Sequence, residues 1–185
     1  MKPIRSTSDL VSLIQSGGTP RYLFFWGHTP SHDGTITKSC LSQWWESPFE
    51  VDEDRYLTAE HYMMAAKARL FGDKASHAQI LNAEHPKKAK NLGRIVTGFN
   101  ESVWLRHRYD IVVTANEAKF RQNDQLSNFL LSTGERILVE ASPLDKIWGI
   151  GLTENDAKAS SPQHWQGLNL LEFALMEARE RLRTL

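Results

Sequence analysis

The sequence predicts a single α+β domain, predominantly helical and with a few short strands. Long windows of apolar residues at helical spacing, bounded by capping residues and glycines, outnumber the short β-branched or aromatic runs. The length of 185 residues fits one domain with a substantial core, with 41% apolar and 24% charged residues. No internal repeat, low-complexity tract or linker divides it. Residues 1–20 read as a peripheral N-terminal segment and residues 21–185 as the domain proper.

The elements follow in order. Ser8 to Gln15 suggests a short helix closed by Gly17 and Gly18. Residues 22–26, Tyr-Leu-Phe-Phe-Trp, form an aromatic strand, and a polar loop runs on through the Asp33-Gly34 turn. Residues 49–56 read as a second strand or a hairpin. Thr58 then N-caps a helix that stops at Gly72, with Ala59, Met63, Ala66 and Leu70 on one apolar face. Residues 74–83 make another helix, and Pro86 can open a third. The longest helix spans 101–121, with Trp104, Ile111, Ala115 and Ala118 inward, and a shorter one at 124–132 closes at Gly134. A strand at 136–141 ends at Ser142-Pro143, since proline cannot continue a ladder. The last helix covers 168–182, with Leu171, Leu175 and Ala178 apolar.

Composition narrows the function classes. Lys plus Arg (22) balance Asp plus Glu (22), so electrostatic coating of nucleic acid is not expected, although a local basic patch can dock a phosphate. Cys40 is the only cysteine, which precludes an internal disulfide and suggests a reducing cytoplasm. No apolar run reaches membrane-spanning length, and the N-terminus lacks a secretory h-region. Phosphate-loop and dinucleotide glycine motifs are missing, and the seven histidines show no metal spacing. Neither a metal nor another cofactor is expected.

Carboxylates and aromatics carry the remaining chemistry. Residues 139–152, Val-Glu-Ala-Ser-Pro-Leu-Asp-Lys-Ile-Trp-Gly-Ile-Gly-Leu, place Asp145, Trp148, Gly149 and Gly151 within seven positions. That combination suits a flat ring and a charged transition state, and it also suits a packed turn. Glu60 lies in the first turn of its helix, where the macrodipole favours a carboxylate, and Lys67 follows two turns later on the same face. Lys119, Arg94 and Arg121 are candidate phosphate partners or plain surface cations. Asn169 reads as a cap for the last helix.

Taken together, these stretches resemble the NADAR (YbiA-like) family. The resemblance rests on Phe25-Trp26-Gly27, the 41–45 run ending in Trp44-Trp45, residues 56–67 around Glu60, residues 90–94 ending in Arg94, residues 118–123 around Lys119, residues 139–152, and residues 165–169 leading into Leu175-Met176. Glu172 departs from it, because a glycine is expected near the start of the last helix, and a charged side chain there is expected to reshape the adjoining pocket. The resemblance implies an N-glycosidase that cleaves a ribosyl C–N bond. Implied substrates are phosphorylated ribosylamino-pyrimidine intermediates of riboflavin biosynthesis or, alternatively, ADP-ribosyl guanine in DNA or RNA, in a possible antitoxin role. A third alternative is a non-catalytic ADP-ribose or nucleotide sensor. On this reading Glu60 is the catalytic carboxylate, Asp145 assists and Trp148 stacks on the base. Lys67, Arg94 and Lys119 face phosphate, Trp26, Gly27 and Trp44 line the pocket, and Gly149, Gly151 and Asn169 hold ribose hydroxyls.

Overall fold

A computed structural model describes residues 3–184 and contains seven helices and four short strands among them. In chain order these are α1 (Thr7–Gln15), β1 (Tyr22–Phe25), β2 (Phe49–Val51), β3 (Asp54–Tyr56), α2 (Ala59–Leu70), α3 (Lys74–Leu81), α4 (Pro86–Arg94), α5 (Glu101–Arg121), α6 (Asp124–Ser132), β4 (Ile137–Glu140) and α7 (Leu170–Arg183). Single 3₁₀ turns occupy Lys38–Leu41 and Pro162–His164. The α+β expectation holds.

The strands form two separate pairs. β1 and β4 run parallel, with Tyr22 opposite Ile137 and Phe25 opposite Glu140, and the chain between the two strands carries helices α2–α6. β2 and β3 form a small antiparallel hairpin whose turn residues Asp52 and Glu53 both adopt positive φ. The parallel pair is backed by α7, which also packs along α5. Phe173, Ala174 and Leu175 of α7 are fully buried.

Helix α2 passes through the middle of the molecule. Thr58 caps it as expected, accepting from the His61 amide. Its burial exceeds the expected single stripe: every residue from Ala59 to Ala66 is buried, because α3, α4 and α5 all lie against it. Its position explains why Glu60 and His61 are buried despite their polarity. His61 is satisfied internally, with Nδ1 at 2.8 Å from the Thr58 hydroxyl and Nε2 at 3.0 Å from the Ala83 carbonyl. Gly93 lets α4 settle on α2, since a Cβ there would collide with the Met64 side chain. Segment α1, expected at the periphery, nonetheless buries Leu10 completely. No helix among the described residues is long and apolar enough to cross a membrane.

Candidate active site

A cleft of about 250 Å³ opens where α2, α4, α5 and the loop after β4 meet. Glu60 lies in its wall with Lys67, Lys90, Arg94, Arg108 and the indoles of Trp104 and Trp148. Four cations thus share the cleft lining with one carboxylate. Helical spacing produces much of this arrangement, because Lys90 and Arg94 on α4, like Trp104 and Arg108 on α5, are four residues apart and share a face.

Glu60 is only 3% exposed, and its Oε1 has no hydrogen-bond partner among the described residues. Burial pushes its carboxyl up to about 7, against the pull of Lys90, a hydrogen bond from Trp44 and the charge of Arg94. Nearby Asp145 adds to the upward push. Desolvation therefore outweighs the helix-terminus effect expected from the sequence. An unpaired buried oxygen at a cleft is a group free to engage a ligand or water.

Lys67 reaches the cleft from two turns further along α2. Its ammonium donates to the Gly93 carbonyl at 2.8 Å and lies 4.3 Å from the Phe99 ring centroid. Burial lowers its affinity for protons. Arg108 sits 6.0 Å from the Trp148 ring, within cation–π range, so indole and guanidinium form one side of the cleft.

The Asp145–Trp148 segment folds into a turn, which brings these residues together. Asp145 Oδ1 accepts from the amides of Ile147 and Trp148 at 2.9 and 2.8 Å. Asp145 therefore fixes the loop that presents Trp148, and one of its oxygens is committed to backbone. Gly149 permits a close backbone approach, since a Cβ there would lie 2.8 Å from the Glu140 carbonyl oxygen. Gly151 adopts φ +69°, and its amide donates to the Asp145 carbonyl. Both glycines shape the turn but are not part of the cleft lining.

The structure reassigns several expected site residues. Lys119 is fully buried away from the cleft, donating to the carbonyls of Cys40 and Ser42 at 2.7 and 2.8 Å. Its ammonium is thus engaged by two backbone carbonyls and is not part of the cleft lining. Asn169 is also fully buried, accepting from the Glu140 amide and donating to the Leu138 carbonyl. It neither caps α7 through its side chain nor faces the cleft, since both ends of its amide clip β4. Trp26 is 60% exposed just beyond β1, and it and Gly27 lie outside the cleft lining. Trp44 touches Glu60 and also borders a second hollow with His28, Trp45 and His85. Glu172 does not narrow the cleft; it is fully buried on α7 behind β4.

Lys90, Trp104 and Arg108 were not anticipated as site residues. Their four-residue partnerships with Arg94 and with each other were the available signal. Glu140 was also missed: burial and the neighbouring Asp145 push its carboxyl up to about 7, and Glu60 and Lys90 are within electrostatic reach. No cluster of metal-ligating side chains occurs among the described residues.

Known proteins share the sequence pattern and the fold. The NADAR domain family matches residues 24–183. A protein of Acanthamoeba polyphaga mimivirus named N-glycosidase R617 is 42% identical over 167 residues, covering 88% of this chain and 96% of that one. A maize protein named riboflavin biosynthesis protein PYRR, chloroplastic, is 33% identical over 68% of this chain, which corresponds to 19% of its own length. The solution structure of Escherichia coli YbiA superposes with a TM-score of 0.71 at 27% identity, covering 90% of this chain and 87% of that one. The chain belongs to the NADAR domain family, as an N-glycosyl hydrolase of the YbiA-like kind.

Proposed function

We propose that this enzyme hydrolyses the C–N bond between a phosphorylated ribose and an amino-pyrimidine, the chemistry of early riboflavin intermediates. The observation that carries this reading is the buried, half-unpaired Glu60 carboxylate in a cleft with Lys67, Lys90, Arg94 and Arg108. Breaking a ribosyl C–N bond builds positive charge on the sugar, which a desolvated carboxylate stabilises. The same carboxylate accepts a proton from the attacking water when it is ionised. The surrounding cations neutralise a phosphate, and Trp148 with Trp104 provides flat apolar faces for a ring.

Cleft size favours a small substrate. About 250 Å³ suits a mononucleotide-sized molecule better than ADP-ribose joined to a nucleic acid. The maize relative's name points the same way. The reading in which ADP-ribose is removed from guanine draws on a different observation: exposed Lys87, Lys88 and Arg106 extend the positive charge beyond the cleft along α4 and α5.

Incubation with a ribosylamino-pyrimidine phosphate and, separately, with ADP-ribosylated guanine DNA tests the assignment by product mass. Release of ribose phosphate and free base from the first substrate is expected. Release of ADP-ribose from the second alone would favour the nucleic-acid reading, and binding without any product would identify a sensor.

A further inference from the structure

A second hollow of about 250 Å³ adjoins the cleft and plays no part in the chemistry above. Trp44 lines it, and the Lys90 ammonium of the cleft lies 5.7 Å from the Trp44 ring centroid, so this pair stands where the two spaces meet. Backbone ties to the start of α2 fix its walls. The Gln43 carbonyl accepts from the Glu60 amide at 3.0 Å, and the Leu57 carbonyl accepts from the Ser47 amide at 3.1 Å. Residues 43–47 are therefore strapped down at both ends. The Ser42 hydroxyl accepts from the Trp44 amide at 3.1 Å, and Lys119 holds the Ser42 carbonyl. On the opposite flank, His61 Nε2 sits 3.0 Å from the Ala83 carbonyl and anchors the corner that leads through Glu84 and His85 into α4.

The two linings differ in charge. Four cations and one carboxylate line the cleft. The hollow is lined by Glu46 and Glu84 with the imidazoles of His28 and His85, and none of the described residues lining it is Lys or Arg. Neither carboxylate is taken by a side-chain hydrogen bond or ion pair among the described residues. Trp45, only 8% exposed, and Trp44, with the His28 ring 5.5 Å from it, supply aromatic surface. Glu46, Glu84, His28 and His85 are exposed and form a polar rim around it. Such a lining disfavours phosphate, which like charge repels. It suits a flat ring that stacks on indole and whose amino N–H groups donate to carboxylates.

We propose that this hollow binds a free amino-substituted heteroaromatic base, with Trp44 and Trp45 against the ring and Glu46 and Glu84 accepting from its amino groups. The choice of an amino-pyrimidine rests on the glycosidase reading above, in which such a base is the product released and the cations of the cleft retain the sugar phosphate. The two products then occupy separate spaces, divided by the Trp44–Lys90 pair.

Calorimetric titration with 2,4-diamino-6-hydroxypyrimidine, in the presence of saturating ribose 5-phosphate to fill the cleft, tests the site without turnover. One molecule of base per chain is expected to bind alongside the sugar phosphate. Trp44→Ala should weaken that binding at least about tenfold, the scale of base–aromatic stacking. The double variant Glu46→Gln with Glu84→Gln, changed only on the exposed rim, should keep the wild-type melting temperature and also lose about tenfold, because charge-assisted acceptors become neutral ones. Trp148→Ala, altered in the cleft, should bind the base as the wild type does. Absence of base binding, its displacement by ribose 5-phosphate, or a loss in Trp148→Ala with none in the Glu46 and Glu84 variant would overturn the proposal. Base binding as described, without hydrolysis of a ribosylamino-pyrimidine phosphate, would leave the site standing and overturn the glycosidase reading instead.

Discussion

Two buried charges, Lys119 and Glu60, look alike by burial and differ in how their polar atoms are satisfied. Burial moves both toward about 7, from opposite directions. Lys119 donates to two carbonyls at 2.7 and 2.8 Å and is not part of the cleft lining. Glu60 has an orphaned oxygen and sits in a cleft wall among four cations. Burial alone therefore does not mark a functional charge. What marks it is burial combined with an unspent hydrogen-bonding position and access for a ligand.

The contrast is easiest to break at Lys119. Lys119→Met should destabilise the fold by about 2–4 kcal/mol in denaturant titrations, because the Cys40 and Ser42 carbonyls lose their donor. Turnover per folded molecule should be unchanged; a selective loss of activity at full stability would return Lys119 to the site.

Glu60 should show the reverse: removing its charge helps stability. Its folded pKa of about 7 lies above the ordinary glutamate value of 4.5, so the folded state holds its proton longer than the unfolded one. The sign follows directly, with Glu60 lowering stability as pH rises from about 4.5 to 7 and keeping that cost above 7. Glu60→Gln should therefore be more stable than the wild type at pH 8 by on the order of 2–3 kcal/mol, and nearly equal at pH 4. Paired melts at the two pH values check this. Equal gains at both would point to packing instead of charge.

Trp148→Ala should weaken substrate affinity by roughly 1–3 kcal/mol, the scale of base–aromatic stacking, as read by calorimetry. Unchanged affinity would make Trp148 a core residue only. The smallest effect is expected at Lys90. Lys90→Ala should raise KM about tenfold, or about 1.4 kcal/mol, and shift the acid limb of the pH profile upward, since Lys90 is the largest influence holding the Glu60 carboxyl down. An unmoved limb would separate Lys90 from Glu60.

Much of the fold was legible from local chemistry. Thr58 as a cap, Pro86 at a helix start and the long α5 period each act within a few residues, and each appears where expected. The parallel pairing of β1 with β4 was not legible, because nothing local links two strands separated by five helices. The site divides along the same line. Glu60, Lys67, Arg94 and Trp148 were found and do converge. Lys119 and Asn169 look like surface or capping residues in one dimension, and only the packing of α5 on the Lys38–Leu41 turn and of α7 on β4 shows that their polar atoms are taken. Glu140 was hidden for the converse reason, since its raised pKa depends on burial and on charged neighbours on other elements.

The most direct test of the central claim compares turnover and affinity in a single variant. Glu60→Gln keeps the shape of the side chain and removes its charge. The account predicts that single-turnover hydrolysis of the ribosylamino-pyrimidine phosphate falls at least about 100-fold while substrate affinity stays within about tenfold. Wild-type turnover in Glu60→Gln would contradict it.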